Sequence, residues 1–297
     1  MNDQSLSQPV STTVAVLGAG IMGSPMAARL ARAGFRTRAW AHHSAAADGP
    51  DAEGVMWTSS AAEAAAGADV VITMLPTGDV VRSVLGSGVL DALKPGAVIA
   101  QMGTIGASET HALGLEISAH RQDVILVDAP VAGSRGPAEA GTLVIMASGP
   151  ASAAQIVDPV LGVLGTIIWV GEAGKGAQLK LLANSWMAFL IEGIAEIAAL
   201  ADHLEISHEA LVGVIGHGPL ASPAALAKLA KIDRGDYSAE FPFEWALKDV
   251  DLALASAGEQ TLPALRAISE QWHTGMARGL AREDVSAARI ALTPPDS

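Results

Sequence analysis

Residues 13–23 have the sequence TVAVLGAGIMG, in which the apolar run TVAVL leads into a glycine-rich turn. The run predicts a buried strand, and the segment 22–33 after it predicts a helix with small residues on one face. The turn matches G-x-G-x-x-G at Gly18, Gly20 and Gly23, a pattern that in this position is typical of a phosphate-binding loop. We expect Gly18 to permit the tight turn, Gly20 to let the backbone approach a pyrophosphate, and Gly23 to let helix and strand pack closely.

The helix after the turn gives a physical reason for phosphate binding. Its first backbone N–H groups have no partner within the helix, and its dipole favours negative charge at that end. The turn therefore predicts a dinucleotide cofactor. We expect the cofactor contacts in this turn to come from Gly18, Ala19, Gly20, Ile21, Met22 and Gly23.

Strand and helix patterns alternate along the first half of the chain. The predicted strands are 13–18, 36–40, 69–75, 97–102, 124–128, 143–147 and 167–170. The predicted helices between them are 22–33, a short helix capped by Ser59 or Ser60 and ending at Gly67, 79–85, 108–120 and 151–164. Such alternation predicts an α/β fold with a doubly wound, mostly parallel Rossmann sheet, whose late strands could pair antiparallel at one edge.

Beyond Gly171 the strand patterns stop. One helix, about 42 Å long at 1.5 Å per residue, is predicted over 177–204. Further helices are predicted at 208–215, 223–231, 243–257, 262–277 and 283–290. The glycine-rich stretch GEAGKG at 171–176 suits a turn at the change of pattern. We expect a flexible leader over 1–12, a Rossmann domain over 13–173, and an all-α substrate and oligomerisation domain over 174–297 that begins with the long interdomain helix.

The composition argues against several classes of binding partner. The chain of 297 residues has a net charge of -13, which argues against nucleic acid as a partner. It has no cysteine, so a disulfide framework, a thiolate metal site and a cysteine nucleophile are excluded. The first residues lack a signal-peptide pattern, and Asn184, Glu192 and Glu196 interrupt the most apolar stretch. We expect a cytoplasmic protein with no membrane partner and no metal.

The end of the second predicted strand bears on the choice of cofactor. An acidic residue there would bind the ribose 2′-hydroxyl of NAD, but this chain has Trp40, Ala41, His42, His43 and Ser44. Without a carboxylate, a 2′-phosphate meets no repulsion, and His42, His43 and Ser44 can donate hydrogen bonds to it. We therefore expect NADP, with NAD as the alternative.

Two pairs of polar residues lie on predicted helices of the second half. Lys180 and Asn184 are four residues apart and share one helix face, which we expect to lie over the cleft between the domains. A lysine there can donate or accept a proton if burial lowers its pKa. Lys248 and Asp249 form the second pair, and their spacing alone indicates an amphipathic helix with both side chains facing water.

Four segments together resemble the β-hydroxyacid dehydrogenase family, which includes 3-hydroxyisobutyrate dehydrogenase and the glyoxylate/succinic semialdehyde reductases. They lie in order along the chain, within about 13–272, and match the family's dinucleotide loop, substrate loop, catalytic helix and late Lys-Asp motif. Their sequences are GAGIMGSPMAARLARAGF, DAPVAGSRGPAEAGTLVIMASG, GKGAQLKLLAN and ALKDVDLAL. The resemblance implies a helical domain of the 6-phosphogluconate dehydrogenase type.

The resemblance also implies roles for single residues. Lys180 matches the catalytic lysine, and Asn184 matches its neighbour in the site, in place of the solvent-facing roles that spacing alone allows. Lys248 matches a lysine that reaches the cofactor across the domain junction. The further cofactor contacts would be Met74, Leu75, Pro76 and Thr104. The substrate loop would be Ala132, Gly133 and Ser134, with Lys180 and Asn184 also in contact with the substrate.

This chain departs from the family pattern at three places. Ala132 stands where the family has a serine that binds the substrate carboxylate, and Gly103 stands where it often has a serine before the threonine. The NADP-preferring members often have Asn-Arg-Thr where this chain has Ala41-His42-His43. Lost hydroxyl donors change selectivity, because substrate groups are then left without a partner.

The expected reaction is hydride transfer between NADP and a small 3-hydroxy acid, or another short hydroxy acid, and its semialdehyde or oxo acid. Lys180 would act as the general acid and base. An imine reductase on the same fold, favoured by Ala132 and Trp186, and a non-catalytic nucleotide-binding protein are the two alternatives. The apolar long helix predicts a homodimer or higher homo-oligomer.

Overall fold

The computed structural model describes residues 12–42 and 53–292. The described residues up to Lys180 form one compact unit, and those from Leu181 onward form a second. The predicted leader, apart from Thr12, lies outside the described residues, and so do His43 and Ser44 of the predicted cofactor site.

The first unit contains a six-stranded parallel sheet in the order β3-β2-β1-β4-β5-β6. Its strands are β1 (Thr13–Leu17), β2 (Arg36–Trp40), β3 (Met56–Trp57), β4 (Val70–Thr73), β5 (Val98–Gln101) and β6 (Ile125–Asp128). Every residue of β1, β4 and β5 is buried, as expected for parallel strands covered on both faces. The sheet confirms the predicted Rossmann fold. The strand order reverses between β1 and β4, and ligands of such sheets bind outside the carboxyl ends at this point.

The helices that connect these strands are α1 (Gly23–Arg32), α2 (Ala61–Ala65), α3 (Gly78–Val84), α4 (Leu90–Ala92) and α5 (Ala107–His120). Of the two predicted caps for α2, Ser60 is the one whose side chain accepts a hydrogen bond from the N–H of Glu63. Ser59 instead donates its own N–H to the Glu63 carboxylate, which completes a reciprocal cap. Thr77 caps α3 in the same way through the N–H of Val80.

The later strands form a separate three-stranded sheet made of β7 (Val131–Ala132), β8 (Leu143–Ala147) and β9 (Gly165–Trp169). The two late strands predicted from the sequence correspond to β8 and β9, and the suggestion that they pair antiparallel at one edge of the main sheet is wrong, because they pair parallel in this separate sheet. The antiparallel partner of β8 is β7. β9 begins earlier than predicted, at Gly165, which pairs with Leu143. The position requires glycine, because a side chain there would meet the Leu143 carbonyl. β7 and the helix after it, α6 (Arg135–Ala140), were not predicted, since the glycines and prolines of this segment favour a loop. The helix α7 (Ala154–Leu164) precedes β9.

The second unit is all helical among its described residues. Its helices are α8 (Lys175–His203, which starts in the first unit), α9 (His208–Ile215), α10 (Pro223–Arg234), α11 (Phe243–Ser256), α12 (Pro263–Ala277) and α13 (Ala288–Ala291). The prediction of one helix over 283–290 is wrong: two 3-10 turns, Leu280–Arg282 and Val285–Ala287, precede the short α13. The buried Asp284 carboxylate causes this break, because it accepts the N–H groups of Ser286 and of Glu240 and Phe241, far along the chain.

By length and composition α8 is the one described helix that could cross a bilayer. However, 44% of its most apolar window is buried inside the protein, and Lys180, Asn184 and Glu192 are buried along it. Glu192 accepts a hydrogen bond from the indole N–H of Trp272 at 2.6 Å. These properties fit the predicted core helix better than a membrane span.

Candidate active site

Three turns meet at the carboxyl edge of the six-stranded sheet. Gly18, after β1, has a φ of +96°, and a Cβ added to it would lie 2.4 Å from the carbonyl oxygen of Met74, after β4. A Cβ on Gly103, after β5, would lie 2.2 Å from the carbonyl oxygen of Leu75. Such contacts require glycine at both positions, since real Cβ atoms do not approach this closely. The turns after β1, β4 and β5 therefore pack backbone against backbone at the switch point of the sheet.

The glycine-rich turn has the geometry that a pyrophosphate needs. A Cβ on Gly23 would lie 2.3 Å from the Gly18 carbonyl oxygen, so the helix packs directly on the turn. The corresponding position at Gly20 has no heavy atom within 4 Å, which leaves open space for a ligand to approach the backbone. The N–H groups of Gly18 and Ala19 both donate to the Trp40 carbonyl at 3.0 Å and hold the turn beside β2. These residues fit a dinucleotide.

The other predicted cofactor residues of the first unit lie at the same edge. His42 is exposed just beyond β2, and its ring stands edge-on to Trp40 with centroids 6.4 Å apart. Leu75 is buried after β4 between the half-buried Met74 and Pro76, and Thr104 is half-buried after β5. The structure thus brings the predicted cofactor residues of four strand ends together, as far as they are described.

The predicted substrate loop joins β7 to α6. Gly133 has a φ of +131°, and a Cβ there would lie 2.7 Å from Leu143 Cδ2, so a side chain at this position would be strained. Ala132 and Ser134 on either side are half-buried. The Ser134 side chain does not cap the helix that follows it. The loop therefore has a backbone conformation that requires glycine at residue 133, and it carries one side-chain hydroxyl, that of Ser134.

Two side chains, one at the end of β6 and one just after β8, hold the first turn of α8. The N–H of Ala177 donates to Oδ2 of Asp128 at 2.7 Å, and the N–H of Gly176 donates to the Ser148 hydroxyl at 2.9 Å. The Ser148 hydroxyl in turn donates to Asp128 at 3.1 Å. Burial raises the pKa of the Asp128 carboxyl to about 6, although these hydrogen bonds act in the opposite direction. Lys180 follows one turn later and is 8% exposed.

Asn184 lies one turn beyond Lys180 on the same helix face and is 5% exposed. Its side-chain N–H donates to Oδ2 of Asp249 at 2.5 Å, and the Lys248 ammonium donates to Oδ1 of the same carboxylate at 2.6 Å. Asp249 is 3% exposed, so the interpretation from spacing, in which this carboxylate faces water, is wrong. The helix thus presents a buried ammonium and, one turn on, an amide held by a buried carboxylate.

Two residues of this arrangement escaped the sequence analysis. Asp128 and Ser148 both lie in the segment that resembles the substrate loop, and Asp128 also ends the predicted strand 124–128, but the sequence predicted no role for either side chain. A polar residue that ends the apolar strand ILVD is a signal that could have drawn attention to Asp128. No local pattern connects either residue with the start of α8, because the bonds span 49 and 28 residues.

Comparisons with known proteins identify the family to which this fold belongs. Residues 13–171 match the NAD binding domain of 6-phosphogluconate dehydrogenase, and residues 174–292 match the NAD-binding domain of NADP-dependent 3-hydroxyisobutyrate dehydrogenase. The chain is 33% identical to 2-(hydroxymethyl)glutarate dehydrogenase of Eubacterium barkeri, over 93% of each chain. Its fold is similar to the structure of Mycobacterium tuberculosis 3-hydroxyisobutyrate dehydrogenase with L-serine, at a TM-score of 0.83 and a sequence identity of 32%. The superposition covers 96% of this chain and 100% of the other.

The chain therefore belongs to the β-hydroxyacid dehydrogenase family. It is a nicotinamide-dependent oxidoreductase of the dehydrogenase and reductase class. A reductive aminase from Aspergillus terreus shares the fold at a TM-score of 0.64, but with 22% identity that likeness shows the fold alone.

Proposed function

We propose that this protein interconverts a small 3-hydroxy acid and its semialdehyde, with NADP as the cofactor and Lys180 as the general acid and base. The observation that carries the proposal is the buried Lys180, one turn after a helix start that is bonded to the carboxyl edge of the sheet. The names of two relatives support the substrate class. Both 2-(hydroxymethyl)glutarate and 3-hydroxyisobutyrate carry a hydroxymethyl group on the carbon next to a carboxylate, so both are 3-hydroxy acids with a primary alcohol.

The nicotinamide cofactor supplies the hydride for reduction and accepts it in oxidation when bound. Lys180, in its protonated form, donates a proton to the carbonyl oxygen as that oxygen gains negative charge. In the reverse direction the neutral lysine accepts the hydroxyl proton. Because the ammonium is buried, its charge acts on the developing alkoxide through little water, which strengthens the stabilisation.

The remaining site residues hold the substrate in this proposal. Asn184 orients the reacting group, because the Asp249 carboxylate fixes its amide. Backbone N–H groups at Gly133 and Ser134, with the Ser134 hydroxyl, bind the substrate carboxylate. Ala132 contributes no hydroxyl, so we expect weaker binding of the carboxylate than a serine at this position would allow.

The proposed preference for NADP rests on the end of β2. The described residues there, Ala41 and His42, include no carboxylate, and the side chain of His42 is exposed at the end of the strand, where the 2′-phosphate of NADP would bind. His43 and Ser44 would add donors, as predicted from the sequence. Met74–Pro76, Thr104 and Lys248 complete the proposed cofactor contacts.

The proposed enzyme is a homodimer. Apolar side chains are exposed along the part of α8 in the second unit, in two groups spaced three or four residues apart: Leu182, Trp186 and Phe189, and then Ile197 and Leu200. Trp186 is 64% exposed, which is unusual for so large a side chain. A second copy would cover these side chains from water. Sedimentation should show a dimer that Trp186→Glu dissociates and Leu115→Glu, an equally exposed site on α5, does not; a monomeric wild-type protein would refute it.

We also propose that the protein is cytoplasmic. The chain has no cysteine, which fits a reducing compartment where disulfides do not form. Fractionation of cells that express the protein would test the location directly.

Initial rates with NADPH and NADH test the proposed reaction. The panel holds methylmalonate semialdehyde, succinic semialdehyde, tartronate semialdehyde, glyoxylate and one cyclic imine. We expect reduction of a semialdehyde, faster with NADPH. Faster turnover with NADH would remove the argument from His42 but leave the mechanism intact, whereas turnover of the imine alone would replace the proposed function by imine reduction.

A further inference from the structure

We propose that Asp128 and Ser148 are positioning residues for catalysis, which fix the start of α8 on the sheet and so place the Lys180 ammonium against the reacting carbonyl. The proposal rests on the proposed role of Lys180. Neither residue would touch the substrate or the cofactor; both act through the helix.

The cap of α8 differs from the other side-chain caps of this fold. α2, α3, α9 and α10 are capped by the residue immediately before each helix, namely Ser60, Thr77, Ser207 and Ser222. α8 is preceded by Gly174, which has no side chain to offer. Its cap comes instead from the end of β6 and from the residue after β8. A local serine would satisfy the same N–H groups, but only the distant cap attaches the helix to the sheet.

The attachment leaves little freedom for the helix start. A Cβ on Gly176 would lie 2.2 Å from the Met146 carbonyl oxygen, so the first turn packs directly on the strand backbone. Gly176 and Ala177 are four and three residues before Lys180 and therefore lie on its face of the helix. Because an α-helix is stiff over one turn, the position of Lys180 follows from these contacts.

The side chains of Asp128 and Ser148 are suited to holding the start of α8 in one position. Asp128 is 1% exposed, and its carboxylate accepts from Ala177 and Ser148 at the positive end of the helix dipole. The two backbones are held independently: the Asp128 N–H donates to the Ser148 carbonyl at 3.0 Å, and the Ser148 N–H donates to the Asp128 carbonyl at 2.7 Å. Changes to the side chains should therefore loosen the helix start and leave the strand backbone in place.

Three variants of the full-length protein test the inference: Asp128→Asn, Ser148→Ala and Glu192→Gln. Glu192 is the matched control, because it is a second buried carboxylate and lies on α8 about 18 Å beyond Lys180. It accepts a hydrogen bond from Trp272. Each is assayed with NADPH and the semialdehyde of the panel that the wild-type protein reduces fastest. The readouts are kcat, both KM values, the isotope effect on kcat with NADPH deuterated at the transferred position, and the melting temperature.

We expect Asp128→Asn to lower kcat by about 10- to 100-fold and Ser148→Ala by a smaller factor, since a small misplacement of a reacting group costs this much. KM for NADPH should stay within about twofold, and the isotope effect should be at least as large as in the wild-type protein because the chemical step has slowed. Glu192→Gln should keep the wild-type kcat. Ser148→Ala carries the test if Asp128→Asn does not fold.

A folded Asp128→Asn or Ser148→Ala with the wild-type kcat would overturn the inference. So would equal losses of kcat in Asp128→Asn and Glu192→Gln at equal losses of melting temperature, because the effect would then be general destabilisation. Lys180→Ala separates this failure from that of the proposed function. If Lys180→Ala remains fully active, the proposed mechanism fails; if it is inactive while Asp128→Asn is unaffected, only the positioning role fails.

Discussion

Asn184 and Asp249 are 65 residues apart in the sequence and joined by a buried hydrogen bond of 2.5 Å. The bond fixes which way the Asn184 amide faces, because the carboxylate accepts only from its nitrogen side. The second oxygen of Asp249 accepts from Lys248. One carboxylate thus sets the orientation of two residues that the resemblance places in the site.

Asp249→Ala should lower kcat by about tenfold or more, since it removes the acceptor that orients Asn184. Steady-state kinetics measure the effect. Asp251→Ala is the control: its carboxylate lies two residues further along the same helix and accepts from Ser269 at 2.7 Å. A loss of activity that is the same in both variants would show that Asp249 acts only on stability.

Lys180→Ala should lower kcat by roughly 100-fold or more and leave the Kd for NADPH within about twofold, because the variant loses the proton donor but not the turn that binds pyrophosphate. Steady-state kinetics and NADPH fluorescence titration measure the two quantities. Lys175→Ala, an exposed lysine on the same helix, should behave like the wild-type protein. Full activity of Lys180→Ala would remove lysine from the catalytic role.

Glu192 should make the free energy of unfolding depend on pH. Burial raises the pKa of its carboxyl from 4.5 to about 7, although the bond from Trp272 lowers it. The folded protein therefore binds more protons than the unfolded chain between these values, and stability should fall as pH rises from about 4.5 through 7. Over this interval the loss should be about 1 to 3 kcal/mol.

Denaturant unfolding of the wild-type protein and Glu192→Gln across pH 4.5 to 8 measures this dependence. Glu192→Gln should reduce the slope, while Glu196→Gln, an exposed residue one turn further on, should nearly retain it. Equal slopes in the wild-type protein and Glu192→Gln would contradict the assignment.

Ala132→Ser should lower KM for the substrate a few-fold with little change in kcat, because it adds a hydroxyl to the loop proposed to bind the carboxylate. Ala132 is half-buried, so part of its side chain is open to solvent. Steady-state kinetics with the same semialdehyde check it, and the KM for NADPH serves as the internal control. An increase in substrate KM would show that the carboxylate binds elsewhere.

Gly103→Ser should impair the protein, unlike Ala132→Ser, although both variants restore a serine of the family pattern. Its Cβ would lie 2.2 Å from the Leu75 carbonyl oxygen, so the turns after β4 and β5 must separate. We expect a loss of stability of about 1 to 3 kcal/mol and weaker binding of NADPH. Gly20→Ala, at a position with open space, provides the comparison for stability. Wild-type stability and NADPH binding in Gly103→Ser would show that the turns adapt.

Much of the fold was predictable because its signals are local. The alternation of apolar strands and helices over 13–170 and the purely helical pattern after it depend on periodicity within each segment, and both were read correctly as an α/β domain followed by helices. The glycine turn at 18–23 is equally local. Where the signal was not local, prediction failed: the segment 283–290 breaks because Asp284 binds backbone N–H groups more than 40 residues away.

The sequence by itself determined where most strands and helices lie, the phosphate-binding turn, and the i, i+4 relation of Lys180 and Asn184. These features follow from neighbouring residues in the chain and from helix geometry. Only the tertiary structure decided that Asp249 is buried against Asn184 and that Gly103 has no room for a serine. It also decided that α8 starts on a cap made by Asp128 and Ser148. The physical reason is the same in each case: these contacts join residues 28 to 65 positions apart, and burial and close approach exist only once distant segments pack together.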